Sequence, residues 1–121
     1  VSSTETFARR GSLTLTNSEF NVGAVIDSNT TNYVTQVIVA VTTALAGGSI
    51  DSIRLHDGTN YLTAVGDVDA TEAGTFVIDL PATTATAAGA QLVAKCVASD
   101  GTTASTPTSG AVAVTIRYGQ V

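Results

Sequence analysis

Tyr33-Val-Thr-Gln-Val-Ile-Val-Ala-Val-Thr-Thr-Ala-Leu45 is the stretch whose reading decides the fold class. Successive side chains of an extended chain point to opposite faces, so Val37, Val39 and Val41 share one face and Ile38 and Ala40 the other. Apolar residues on both faces mark a central strand covered on both sides. Valine and threonine are branched at Cβ, which fits a pleated surface and disfavours a helix. Gly47-Gly48 then ends the strand.

Outward from this strand, the same period of two recurs between turn signals. On the N-terminal side, residues 12–16 place Leu13 and Leu15 on one face. Residues 20–27 carry Val22, Val25 and Ile26 but change phase at Gly23-Ala24, as a bend or bulge would require. Residues 27–32 form a polar loop. On the C-terminal side, Ile53 and Leu55 alternate with Arg54 and His56, and Asp57-Gly58 turns the chain into residues 61–65, a hairpin pattern. Residues 66–74 are acidic and rich in small residues, hence a loop. Phe76, Ile78 and Leu80 then alternate with Val77 and Asp79 until Pro81, which can donate no ladder hydrogen bond. Residues 82–89 read as a further loop. The last strands cover residues 92–98 and 111–118, the second with Val112, Val114, Ile116 and Tyr118 on one face.

This pattern predicts an all-β fold, an antiparallel β-sandwich or jelly-roll-like barrel of about seven to nine short strands. The chain of 121 residues has room for one such domain, expected over residues 11–121. Residues 1–10 are polar apart from Val1, Phe7 and Ala8, and read as an extended N-terminal arm. An aromatic on such an arm is either tucked against its own domain or docked into a neighbour. Arg9-Arg10 reads as a solvated pair or, alternatively, as a docking contact, and Phe7, Arg9 and Arg10 are the candidate partner-binding residues.

Only 12% of the residues are charged and the net charge is −5, which argues against nucleic acid as a partner because phosphate binding draws on clustered Lys and Arg. The longest apolar run, residues 37–41, is far short of the roughly 20 residues a membrane-spanning helix needs. No charged segment precedes an apolar one in the manner of a signal peptide. Cys96 is the single cysteine, so the fold needs no internal disulfide and is compatible with a reducing compartment. Its place in the alternation Leu92, Ala94, Cys96, Ala98 makes it a small buried hydrophobe.

Residues that carry chemistry are isolated. A Ser-His-Asp arrangement needs a base, and the lone imidazole is His56, on the polar side of a hairpin with no Gly-x-Ser-x-Gly sequence in the chain. One His and one Cys are too few for a zinc site. Asp67, Asp69 and Glu72 lie close in sequence but lack the order of a calcium-binding loop, and read as a solvated acidic loop. Asp51, Asp57 and Asp79 show no pairing that would suggest glycoside hydrolysis. No catalytic, cofactor-binding or metal-binding residue is assigned, and the expectation is a structural or binding protein rather than an enzyme. The sequence also repeats Asp57-Gly58-Thr59 at Asp100-Gly101-Thr102, a pair of tight-turn signals that need no duplication to explain them.

Ile53-Arg-Leu-His-Asp-Gly-Thr-Asn-Tyr61, a strand entering an Asp-Gly-Thr turn followed by Tyr, and Thr108-Ser-Gly-Ala-Val-Ala-Val-Thr-Ile-Arg-Tyr118, a Gly, an alternating Val strand and a final Tyr, carry a resemblance. Residues 50–118 resemble small virion structural proteins of tailed bacteriophages, in capsid decoration (cement) or minor structural roles. The resemblance implies a protein that decorates and stabilises the capsid by bridging major capsid subunits. It further implies a homo-oligomer, with a trimer favoured, and a place on the capsid surface after synthesis in the host cytoplasm. The major capsid protein would be its partner, with no cofactor. The alternative is an adhesive or glycan-binding sandwich of a phage fibre or tail, or of a cell-surface protein.

Overall fold

The structure, a computed structural model, describes residues 5–13, 17–23, 32–80, 85–86 and 91–120. Eight strands follow one another along these residues: β1 (Glu5–Ser12), β2 (Glu19–Asn21), β3 (Asn32–Ala46), β4 (Ser52–His56), β5 (Gly74–Asp79), β6 (Ala85–Thr86), β7 (Val93–Val97) and β8 (Ser109–Gln120). They form two sheets in which every pairing is antiparallel. The larger sheet runs β1-β8-β3-β5, with β6 beside β5 on the same side of β3, and the smaller runs β2-β7-β4. The fold is thus the expected all-β sandwich. Among the described residues no helix is long and apolar enough to cross a membrane.

The pair β3 and β8 is the spine of the large sheet. β3, at 15 residues, spans about 50 Å. Such a length holds its faces because the ladder shifts register at three points, between Val34 and Gln36, Val41 and Thr43, and Thr43 and Ala46. The first shift inserts Thr35 as an extra residue, so Val34 and Val37 both face inward although their spacing is odd. Val37, Val39 and Val41 are buried, as their alternation predicts, whereas Ile38 and Ala40 on the opposite face are half-exposed.

Val112, Val114, Ile116 and Tyr118 of β8 line the same inner surface. Facing them from the small sheet are Phe20, Ile53, Leu55, Ala94 and Cys96, with Val22, Val68, Ala70 and Leu92 from the connections. Burying each of these larger aliphatic side chains contributes roughly 1.5–3 kcal/mol. Both sheets share this one apolar core.

Several elements differ from the sequence expectation. Residues 5–10, read as part of an arm, form most of β1 and pair with β8 from Glu5↔Gln120 to Ser12↔Ala113. The strand expected from residue 12 has its end there instead, with Leu13 bonded to Val112 and residues 14–16 outside those described. Of the strand expected over 20–27, the described residues show β2, with a bend at Gly23, which has φ 71°; residues 24–31 lie outside those described. The loop expected over 82–89 contains β6, whose two residues pair with Asn32 and Tyr33.

The predicted hairpin opens after a single bridge, His56↔Tyr61. Leu62 still donates its N–H to Leu55 O at 2.8 Å. The Leu55 N–H, however, donates to the Thr63 hydroxyl at 3.1 Å, so a side chain takes the ladder position of a backbone carbonyl and the second strand does not form.

Candidate functional site

Antiparallel register places three rows of side chains across the outer face of the large sheet. The first reads Asp79, Gln36, Arg117, Ala8; the second Val77, Ile38, Thr115, Arg10; the third Thr75, Ala40, Ala113, Ser12. Small and neutral residues dominate. Arg10 and Arg117 are both exposed and lie diagonally across β1 and β8. Asp79 accepts a hydrogen bond from Gln36 Nε2 at 2.9 Å. The short side chains among these, such as Thr75, Ala40, Ala113 and Ser12, lose little rotamer freedom when another surface packs on them.

Of the three candidate partner-binding residues, Arg10 is thus part of this face, opposite Thr115. Phe7 and Arg9 lie in β1 opposite Tyr118 and Ile116, and their side chains fall outside the described residues.

The small sheet carries a second cluster that sequence reasoning did not single out. Arg54 projects from β4 and donates to two separate loops, through Nε and Nη2 to Thr63 O at 3.1 and 2.9 Å and through Nη1 to Gly101 O at 2.7 Å. Its guanidinium lies 3.8 Å from the centre of the Tyr61 ring, and His56 meets that ring edge-on at 4.8 Å. Lys95, opposite Arg54 in the ladder, lies 6.0 Å from the same ring and 3.9 Å from Glu19. The available signal was the outward Arg54 and His56 on one strand with a Tyr just beyond the turn.

The two Asp-Gly-Thr sequences fold alike. Asp57 Oδ1 accepts from the N–H groups of Thr59 and Asn60, and Asp100 Oδ1 from those of Thr102 and Thr103. A single bridge closes each, His56↔Tyr61 and Val97↔Ala104. These are Asx turns, in which the carboxylate stands in for a backbone acceptor. The Thr103 hydroxyl also donates to Asp100, and with the two N–H groups it holds this exposed carboxyl at a pKa of about 2. Gly101 has φ 79°, and a Cβ there would meet Val65 at 2.1 Å, so the turn can approach Arg54 and Val65 only with glycine.

The acidic loop is occupied in the same way. Asp67 Oδ2 accepts from Ala64 N–H, and Asp69 Oδ1 from both the N–H and hydroxyl of Thr71, which lowers the Asp69 pKa. Val68 and Ala70, on either side of Asp69, are buried, so the loop is anchored in the core while Asp67 and Glu72 stay solvated. Among the described residues, no three His, Cys, Asp or Glu side chains gather as a metal site.

His56 Nδ1 accepts from Gly58 N–H at 2.9 Å. Cys96 is fully buried, and burial pushes its thiol up to a pKa of about 11, far from the range of a nucleophilic cysteine. A cavity of about 160 Å³ borders Ser18, Glu19, Tyr61, Lys95 and Thr102. Pockets for drug-sized ligands start near 300 Å³. The Tyr61 ring is already covered by Arg54, which leaves less of it for stacking on a sugar.

Neither a protein-family model nor a curated protein matches the chain. Among solved structures, the fold is similar to that of a chain from the cyanophage Pam1 capsid asymmetric unit. The two share a TM-score of 0.57 and 16% sequence identity, over 96% of this chain and 84% of the other. At that identity the likeness is one of fold.

Proposed function

We propose that the protein is a structural component of a bacteriophage virion, carried on the capsid surface, where it stabilises the shell by bridging major capsid subunits and catalyses no reaction. The observation that carries this reading is the fold likeness to a chain of a phage capsid unit over 96% of the present chain. The outer face of the large sheet supports it, because its short neutral side chains favour packing against a protein surface over binding a diffusible ligand. The resemblance of residues 50–118 to phage decoration proteins points the same way and implies a trimer.

Phe7, Arg9 and Arg10 are proposed as the grip on the capsid. The direct test adds the purified protein to shells assembled from the major capsid protein alone. Saturable co-sedimentation and a raised shell melting temperature are expected, and Arg10→Glu should weaken binding by about tenfold, as loss of one interfacial charge contact does. Absence of binding to shells overturns the reading.

A further inference from the structure

We infer that two copies of this chain associate through β5, edge to edge, about a two-fold axis at Val77. β5 ends the large sheet, and its six residues pair with β3 from Gln36↔Asp79 to Val41↔Gly74 without a register shift. Leu80 N–H donates to Thr35 O at 2.9 Å, which fixes the phase of the ladder. Residues 74, 76, 78 and 80 therefore direct their backbone groups toward β3, and Thr75, Val77 and Asp79 direct theirs away from the sheet.

Proteins usually blunt such an edge with lysine, proline, a bulge or a covering loop. The other edges show these devices. β4 is bridged by Asp69 and Tyr61 at its two ends, β2 has three residues, and β1 carries Arg9-Arg10. β5 carries one charge, Asp79 at its end, and among the described residues no lysine, proline, bulge or covering loop within its length; at its centre Val77 is 55% exposed.

The strand is also self-complementary. An antiparallel pair centred on Val77 sets Val77 against its own copy and Thr75 against Asp79 of the other chain. All three outward-directed residues of both chains then fall at hydrogen-bonded positions, each pair exchanging two N–H···O bonds. Centring the axis one residue away leaves an outward-directed residue unpaired. On the outer face the two valines cover each other, and the Thr75 hydroxyl reaches the Asp79 carboxylate, which in the single chain accepts from Gln36. On the inner face Phe76 meets Ile78 of the second copy; both are half-exposed in the single chain, as is Leu80. Pairing thus extends the apolar core across the axis and joins two sheets into one. This contact uses β5 alone and does not depend on the capsid reading; it is two-fold, distinct from the trimer the resemblance implies.

Sedimentation equilibrium of the full chain over about a hundredfold range of concentration tests it. The mass should rise from one chain to two, and Val77→Lys, which sets two ammonium groups face to face, should weaken association by at least about tenfold. Val77 is largely exposed, so this variant retains the fold, as circular dichroism would verify.

Cysteine substitution reads the register. Cα atoms of a hydrogen-bonded pair lie about 5.5 Å apart, within disulfide reach. Val77→Cys should therefore cross-link to a covalent dimer on mild oxidation, while Thr75→Cys, about 14 Å from its copy, should not. Cys96 is buried and does not compete. A single-chain mass at every concentration, association unchanged in Val77→Lys, or cross-linking of Thr75→Cys as fast as Val77→Cys would overturn the inference.

Discussion

The backbone at Gly11 in β1 lies against that of Asn21 in β2. A Cβ at this position would lie 2.0 Å from Asn21 O, a backbone atom of β2 that cannot swing aside. Gly11→Ala should therefore cost about 1–3 kcal/mol through overpacking, read as a shift in the denaturation midpoint. Cys96 sets a different residue-scale expectation. Its thiol ionises near pH 9 in an unfolded chain and at about 11 in the fold. Below pH 9 both states hold the proton and the group leaves stability unaffected. As pH rises from 9 to 11 the unfolded chain releases the proton first, so stability should fall, by up to about 3 kcal/mol at high pH. Thiol alkylation at pH 8 should be slow in the folded protein and fast in denaturant. A stable protein at pH 11 whose thiol reacts as fast folded as unfolded would contradict this. The burial of Cys96 was legible from its place in an alternating strand, whereas the need for glycine at residue 11 arises only when β1 and β2 are brought together.

At the scale of elements, β3, β5 and β8 were legible because each carries an alternating apolar run, Val37 to Val41, Phe76 to Leu80 and Val112 to Tyr118, that an inward face explains. Pairing partners were not, since alternation does not say which strand lies beside which. β1 was hidden because Glu5, Thr6, Arg9 and Arg10 look like a solvated arm, although extended backbone at a sheet edge tolerates such residues. The hairpin after Asp57-Gly58 was overread, because its turn chemistry is real but Thr63 diverts the ladder. Arg54, read only as an outward strand residue, joins residue 63 to the Asp100 turn through carbonyls at Thr63 and Gly101. Removing it leaves both loops without their shared donor. Arg54→Ala should cost about 2 kcal/mol and speed amide exchange over residues 61–65 and 100–103. Arg54→Lys should recover little, because one ammonium cannot reach both carbonyls in the planar geometry of the guanidinium.

For the whole molecule, the two sheets leave, among the described residues, one broad face of mostly short neutral side chains, one compact cluster about Tyr61, and an edge at β5 with no strand beside it. The low charge content was visible in composition, and the resemblance to phage virion proteins rested on turn and strand motifs. The candidate grip was legible only in part: Arg10 is on the broad face, while the side chains of Phe7 and Arg9 lie outside the described residues. The Tyr61 cluster went unread because its members come from β2, β4, β7 and a turn, and converge only in the fold. A flat face and an open edge both suit a protein that works by contact with large surfaces and with its own copies. Cryo-electron microscopy of the phage particles that the proposed role implies tests that role most directly. The account predicts density for this sandwich on the outside of the shell, at regular positions and touching more than one major capsid subunit. Shells that carry no such density, with the protein absent from purified particles, would contradict it.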